Sequence, residues 1–301
     1  MADALVSYLP FVSEYWLHIA TVIVGFALFR VLKNALVTTT TKNSKKTRVG
    51  CQLDSYDLSL ISEDLSEHDL VAAQDASNGE DNSPQILYKS VQYTAEETVS
   101  RAAKFYSAIN RRRTLRHFSA RPVPLAAIHS VIKAAGTAPS GAHMQPWTFV
   151  VVQDADMKSQ IRAIVEAEEE INYRQRMGDR WVHDLKDLNV NWVKPYLEIA
   201  PYLILVFEQV HGVTKDGLKQ THYYSRISVS IACGILLAAL QEAGLCTVTS
   251  TPLNAGPAIR RLVQRPTNEK LMLLLPVGYP AEDATVPNLT RKALDEIMIL
   301  I

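Results

Sequence analysis

Cysteine is scarce in this chain, which has three among 301 residues, at positions 51, 233 and 246. Their spacing fits neither a metal site nor a disulfide framework, so we expect no metal and a main domain that folds in a reducing compartment. We interpret Cys233 and Cys246 as packed core thiols. Positive charge is not in excess, because 31 basic residues balance 31 acidic ones, and no Gly-x-Gly-x-x-Gly fingerprint is present. These absences disfavour a nucleic-acid-binding protein and a Rossmann domain.

The first long apolar run is at the N-terminus, where residues 5–29 contain one acidic residue, Glu14. A helix needs about 20 mainly apolar residues to cross a bilayer. No Lys or Arg precedes the run, whereas Arg30 and Lys33 follow it, which places the rest of the chain in the cytoplasm. Residues 1–30 are therefore predicted to be a single-pass membrane anchor, in the plasma membrane or an intracellular vesicle. A cleaved signal peptide is the alternative, but it expects a basic segment before the apolar run.

The next segment, 31–95, is predicted to be an acidic and largely disordered linker. Between Cys51 and Ser90 it holds nine acidic residues and one lysine. Such a composition buries little apolar surface. A protein-binding role for this stretch is a further hypothesis, although no motif in it is specific.

Residues 96–301 have a globular pattern that favours an α+β fold. Helices are predicted at 97–110, 124–136, 157–177 and 226–243, and strands at 147–153, 202–208, 245–251 and 271–278. The helix at 226–243 is apolar nearly all round, so we expect it to be buried. A second membrane span is the alternative, which Ser228, Ser230, Gln241 and Glu242 argue against.

Two segments have the composition of a ligand site. Residues 137–152 place two prolines and Gly141 in a loop of small side chains before an apolar strand, which lets the backbone approach a flat ligand. Residues 111–116 read Arg-Arg-Arg-Thr-Leu-Arg, and guanidinium groups bind phosphate through paired hydrogen bonds. An ordinary turn and a solvated basic turn are the alternatives.

Four motifs of this sequence resemble the flavin-dependent nitroreductase superfamily. They are Arg-Arg-Thr-Leu-Arg (112–116), Ala-Pro-Ser-Gly-Ala-His-x-x-Pro-Trp (138–147), Thr-Ser-Thr-Pro (249–252) and Leu-Pro-Val-Gly-Tyr-Pro (275–280). The segment from Glu168 to Gly178 and the sequence Asn-Trp-Val-Lys (191–194) resemble the iodotyrosine deiodinase branch of that superfamily. The resemblance covers residues 88–301, after an anchor and a linker in the same order.

The resemblance implies a nitroreductase-like fold, with a mixed β-sheet core surrounded by helices. It also implies an intertwined homodimer that holds FMN between its subunits, with an extended C-terminal segment around the partner. The residues implied in cofactor binding are Arg112, Arg113, Thr114, Leu115, Arg116, Ser140, Gly141, Thr249, Ser250, Thr251 and Arg291. Thr114 and Ser250 stand where the family commonly has serine and threonine, so each hydroxyl is kept. Thr251, implied to lie near N5 of the flavin, is the implied catalytic residue.

The resemblance further implies that Ala142 offers its backbone N–H to a substrate phenolate. It assigns Glu169, Tyr173 and Lys194 to the ammonium and carboxylate groups of an iodotyrosine, in a lid over the flavin. From the residues alone, Glu169 and Tyr173 are i,i+4 on one helix and face the same way. Spacing alone favours a solvated helix face for Glu169, a half-buried anchor for Tyr173 and a surface lysine for Lys194. We interpret His143 as a structural loop residue.

The implied function is reductive deiodination of mono- and di-iodotyrosine to tyrosine and iodide, which salvages iodide. NADPH is the expected ultimate reductant, and a separate NADPH-dependent reductase is an expected partner, because no nicotinamide-binding motif is visible. The alternative is a general FMN-dependent nitro- or quinone reductase on the same fold. A non-catalytic, membrane-tethered interaction protein is a third hypothesis.

Overall fold

The computed structural model of this protein describes residues 85–301 except 179, 181, 182, 184–189 and 253. The predicted anchor (1–30) and residues 31–84 of the predicted linker lie outside the described residues. Residues 85–94 have no helix or strand and are exposed. The first helix begins at Ala95, where the Thr94 hydroxyl accepts a hydrogen bond from the Glu97 N–H at 3.2 Å and caps the helix.

Helices and strands alternate irregularly along the described chain, as an α+β fold requires. The helices are α1 Ala95–Asn110, α2 Leu125–Ala135, α3 Ala155–Ile171, α4 Tyr196–Ile199, α5 Ser225–Glu242 and α6 Gly256–Leu262. The strands are β1 Trp147–Val152, β2 Tyr202–Gln209, β3 His211–Val213, β4 Lys219–Thr221, β5 Cys246–Thr247 and β6 Glu269–Gly278. Short 3₁₀ turns cover Gly141–His143 and Leu294–Glu296, and a π-helical turn covers Asn172–Arg176.

The core is a sheet of four strands in the order β1-β2-β6-β5, covered by helices on both faces. All three ladders are antiparallel, and the described parallel contact is one bridge between Thr114 and Thr247. Strand β2 is buried on both faces, which explains why it reads as an unbroken apolar run. Its side chains alternate: Ile204 and Val206 pack with α2 and α5, whereas Leu205 packs with α3 and α6.

Helix α5 confirms the prediction of a buried apolar helix only in part, because one face is buried whereas Ile227 and Ile231 are 60% and 41% exposed. Val229, Ala232 and Leu236 are fully buried. By length and composition it is also the one helix in the described part of the chain that could cross a membrane. Its buried face packs in one core cluster with residues of α2, β2 and β6.

Two predicted elements differ from the structure. The helix predicted at 157–177 is α-helical only to Ile171 and then widens into the π-turn. The strand predicted at 245–251 pairs regularly only at Cys246–Thr247, after which Ser250 keeps one bridge to Leu274. In both places the backbone leaves regular geometry where it reaches the second of two cavities, and the regular sequence pattern continues past each departure.

Candidate functional site

The arginine segment forms one wall of a cavity of about 300 Å³, which we call the arginine cavity. Its other wall comes from the C-terminal segment, through Pro287, Leu289, Thr290 and Arg291. Arg113 donates to the carbonyl oxygen of Pro287, and Arg291 donates to the carbonyl oxygen of Arg112 at 2.9 Å. The structure therefore brings together residues more than 170 positions apart in the chain, in a site that can bind an anion.

Leu115 has a different place from its neighbours. Its side chain is 6% exposed and lies in the core, and its N–H donates to the carbonyl oxygen of Thr247 at 3.1 Å. Leu115 does not line the arginine cavity. It anchors the segment to the sheet, so that Arg112, Arg113, Thr114 and Arg116 reach the cavity from either side of it.

A second cavity, of about 160 Å³, shares Arg116 with the first, and we call it the acid–lysine cavity. It brings together all three residues that the family resemblance assigned to a zwitterion and all three of the Thr249–Thr251 segment. Its lining residues are Arg116, Glu169, Asn172, Tyr173, Met177, Val190, Lys194, Tyr196, Val248, Thr249, Ser250 and Thr251.

The centre of the acid–lysine cavity is a buried ion pair. The Lys194 ammonium lies 3.5 Å from Oε2 of Glu169, with side-chain exposures of 6% and 14%. Burial lowers the pKa of Lys194, and the Glu169 carboxylate opposes that change. Lys194 also donates to the carbonyl oxygen of Asn191 at 3.1 Å. The expectation from spacing alone, a solvated acid and a surface lysine, is therefore wrong.

Two tyrosines border this ion pair. Burial raises the pKa of Tyr173, and Tyr173 makes an edge contact with Trp192 at 5.8 Å between ring centroids. Burial also raises the pKa of Tyr196 to about 12. Both phenols therefore stay protonated at neutral pH and can donate hydrogen bonds.

Helix α3 fixes the segment that carries Lys194. The Lys194 N–H donates to Glu166 at 2.5 Å, and Arg162 contacts both Glu166 (2.7 Å) and Glu198 (3.2 Å). Lys158 donates to the carbonyl oxygens of Glu198 and Ala200. Glu169 and Lys194 are thus positioned by the same helix.

The loop of small residues is not part of these cavities within one chain. Ala142, His143 and Gln145 have φ values of 47°, 55° and 48°, which side-chain-bearing residues rarely adopt. The Ser140 hydroxyl accepts from the Gln145 N–H at 2.9 Å and holds the turn. A Cβ at Gly141 would lie 2.7 Å from the carbonyl oxygen of Tyr223, so the lack of a side chain at this position lets Tyr223 pack closely against the loop.

Sequence reasoning missed several lining residues, above all Asn172 and Tyr196. Asn172 is buried at 1% exposure, and Tyr196 is buried at 7%. An asparagine in the middle of a charged helical pattern is a weak signal of a break in that helix. No sequence pattern pointed to Tyr196.

No group of three or more His, Cys, Asp or Glu side chains that could hold a metal ion occurs in the described ranges. Burial raises the pKa of Cys233 to about 11, which keeps this thiol protonated. The polar groups that line the two cavities include guanidinium, carboxylate, ammonium and hydroxyl groups.

Several known proteins are similar to this chain. The sequence profile of the Nitroreductase family matches residues 109–279. The chain is 57% identical over 250 residues to an iodotyrosine deiodinase of Danio rerio, which covers 80% of this chain and 85% of the relative. It is 53% identical over 276 residues to iodotyrosine deiodinase 1 of Mus musculus, covering 90% of this chain and 94% of the relative.

A solved structure is also similar, namely oxidized iodotyrosine deiodinase bound to FMN and 3-iodo-L-tyrosine. It has a TM-score of 0.57 and 34% sequence identity, and covers 65% of this chain and all of that chain.

Proposed function

This chain belongs to the nitroreductase family, and from that premise we propose that it is an FMN-dependent iodotyrosine deiodinase. It converts mono- and di-iodotyrosine to tyrosine and iodide, replacing each C–I bond by C–H with two electrons and one proton. The observation that carries the proposal is the acid–lysine cavity, where a buried carboxylate and a buried ammonium lie beside Thr249–Thr251. A general nitro- or quinone reductase has no need of this pair.

The residues present fit FMN. Arg112, Arg113, Arg116 and Arg291 meet in the arginine cavity, and among the residues that the structure describes none of the four forms an ion pair with a carboxylate. Four guanidinium groups without carboxylate partners suit a phosphate dianion. Arg116 also lines the acid–lysine cavity, so an anionic tail and a planar ring would occupy adjoining sites. FMN, when bound and reduced, supplies the two electrons.

The protein's own groups bind and orient the amino-acid substrate. An iodotyrosine zwitterion brings an ammonium for Glu169 and a carboxylate for Lys194, so each buried charge exchanges one partner for another. The Tyr173 hydroxyl adds a polar contact. The exposed Thr251 hydroxyl, which lies in the same cavity, is the group proposed to donate a hydrogen bond to the flavin ring.

A homodimer is part of the proposal, because the residues that the resemblance assigns to one site do not all meet within one chain. Ser140, Gly141 and Ala142 line neither the arginine cavity nor the acid–lysine cavity, so we assign their contact with flavin and phenolate to a second copy. Exposed apolar side chains support such an interface. They include Phe105, Tyr106, Ile227, Ile231, Ile297, Ile299 and Leu300. An extended C-terminal segment around the partner would cover the last three.

The anchor and the electron donor complete the proposal. We propose that residues 1–30 hold the enzyme in a membrane with the catalytic domain in the cytoplasm. Similarity to the mouse relative over 90% of this chain includes part of the segment before residue 85. NADPH is proposed as the ultimate reductant, through a separate reductase. Deleting residues 1–30 should move the protein from the membrane fraction to the soluble fraction.

An anaerobic titration tests the function. The purified, FMN-loaded and chemically reduced protein is mixed with 3-iodotyrosine, and flavin absorbance and free iodide are recorded. We expect one iodide per flavin reoxidised, and quenching of oxidised flavin fluorescence on binding. Turnover of nitroaromatics with NADPH but none of iodotyrosine would favour the general reductase. A colourless protein that takes up no FMN would leave an interaction protein.

A further inference from the structure

Asn172 is a fully buried amide in the wall of the acid–lysine cavity. Both ends of its side-chain amide form hydrogen bonds. Its Nδ2 donates to Oε1 of Glu169 at 3.3 Å. Its Oδ1 accepts from Arg176 at 3.2 Å and from Asn254 at 3.4 Å. In the opposite orientation the Asn172 oxygen would face the Glu169 oxygen, and its NH₂ group would face the donors of Arg176 and Asn254. These neighbours therefore fix the orientation of the amide.

The two oxygens of Glu169 therefore have separate partners. Oε1 receives the Asn172 amide, and Oε2 faces the Lys194 ammonium at 3.5 Å. A carboxylate held at one oxygen cannot rotate freely, which keeps the other oxygen directed into the cavity. This is the oxygen that an ammonium group of a substrate would meet.

The position of Asn172 depends on the change of helix type. Asn172 opens the π-turn, and its carbonyl oxygen accepts from the Met177 N–H at 3.1 Å, five residues on. Single π-turns inside α-helices occur often at functional sites. Through Asn254 the same amide reaches the loop that follows Thr251, so it connects the Glu169 side of the cavity to the Thr249–Thr251 side.

We propose that Asn172 is a positioning residue that gives the site its preference for an amino acid over a simple iodophenol. It acts through the Glu169 carboxylate, which it orients toward the substrate ammonium. This inference rests on the proposed function, because it takes iodotyrosine as the ligand. Asn172 does not line the arginine cavity, so its effect should be separate from phosphate binding.

The test compares two ligands on the FMN-loaded protein by flavin fluorescence. 3-Iodotyrosine carries the ammonium group and 2-iodophenol lacks it. A hydrogen bond to a charged group contributes about 1.5–3 kcal/mol, so Asn172→Leu and Asn172→Asp should each weaken iodotyrosine binding roughly 10- to 100-fold. Binding of 2-iodophenol and of FMN should change less than about threefold.

The variant Glu169→Gln separates positioning from general damage. If Asn172 acts through Glu169, then Asn172→Asp should cause little further loss of iodotyrosine affinity once Glu169 is already Gln. Asn268→Asp is the matched control, because Asn268 is a half-buried amide that donates to the His211 carbonyl oxygen at 2.8 Å, outside the site. It should bind both ligands like the wild type.

The second route is Asn254→Ala, which removes one donor to Asn172 and keeps the inference testable if Asn172 variants do not fold. It should weaken iodotyrosine binding a few-fold, with 2-iodophenol unchanged. Equal losses for both ligands, unchanged iodotyrosine affinity or additive effects with Glu169→Gln would overturn the inference. A wild type that does not bind iodotyrosine would instead refute the proposed function.

Discussion

The arginine cavity and the acid–lysine cavity share Arg116 but are built in opposite ways. In the arginine cavity, several charges of one sign meet near the surface, and backbone and amide oxygens hold the side chains. In the acid–lysine cavity, two opposite charges are buried and hold each other. The first site needs an anion to balance it, whereas in the second Glu169 and Lys194 pair with each other until a zwitterion replaces that internal pair. The contrast indicates that the arginine cavity selects a ligand by its negative charge, whereas the acid–lysine cavity selects a ligand by the relative positions of its positive and negative groups.

The largest expected effect comes from breaking the buried pair. Removing one partner of a buried ion pair leaves the other charge unbalanced, at a cost of about 3–5 kcal/mol. Lys194→Gln should therefore weaken 3-iodotyrosine binding by at least roughly 100-fold, measured by quenching of flavin fluorescence. FMN affinity should stay unchanged. Unaltered iodotyrosine affinity would remove Lys194 from the substrate site.

Removing one guanidinium from the arginine cavity should have a smaller effect on a different ligand. A charge-assisted hydrogen bond contributes about 1.5–3 kcal/mol, so Arg112→Gln should weaken FMN binding roughly 10- to 100-fold by equilibrium titration of the apoprotein. The matched control is Arg111→Gln, because the neighbouring Arg111 is exposed and does not line the cavity. If both variants lost FMN equally, net charge rather than a built phosphate site would hold the cofactor.

The acid–lysine cavity should also affect stability at high pH. The pKa of Tyr196 is raised from 10 to about 12 in the folded protein, so the unfolded chain loses this proton first. The contribution of the protonated Tyr196 phenol to the free energy of unfolding is fully present below pH 10 and is lost as pH rises from 10 to 12. Two pKa units correspond to about 2.7 kcal/mol.

The measurement for Tyr196 is urea unfolding at several pH values. Between pH 10 and 12 the wild type should lose about 2–3 kcal/mol more of its unfolding free energy than Tyr196→Phe does. Identical slopes for the two proteins would show that Tyr196 ionises as an exposed phenol.

The smallest effect is expected from an exposed ion pair next to the same site. Arg174 and Glu170 lie 2.6 Å apart, with side-chain exposures of 62% and 42%. Exposed pairs of this kind contribute about 0.3–0.5 kcal/mol. Arg174→Ala should therefore change the urea midpoint barely and leave iodotyrosine affinity unaltered. A large loss of affinity would mean that charge near the cavity mouth, and not the buried pair alone, governs binding.

Much of the fold could be predicted from the sequence, because local patterns reflect it. The unbroken apolar run at 202–208 predicted a strand that proves to be β2, with both faces buried. The helix pattern at 124–136 predicted α2, in which Ile128, Val131 and Ala135 are buried. The π-turn and the short β5 were not predictable in this way, since both are departures from a regular pattern that continues in the sequence.

The two cavities also differ in how far the local sequence predicts them. Arg112, Arg113, Thr114 and Arg116 lie within five positions, so the sequence alone indicated an anion site. Pairing of Glu169 with Lys194 spans 25 positions, and the sequence alone favoured solvent exposure for both. Only resemblance to relatives selected these two residues.

The amino-acid sequence by itself determined the apolar pattern of the sheet, the cluster of guanidinium groups and the small residues of the 137–152 loop. Tertiary structure alone decided that Glu169 faces Lys194, that Asn172 holds one oxygen of Glu169, and that Gly141 abuts Tyr223. The physical reason is the separation along the chain over which each effect acts. Periodicity and composition act over a few residues, whereas burial, and with it the pKa and partner of a charge, depends on whatever distant segment packs against it.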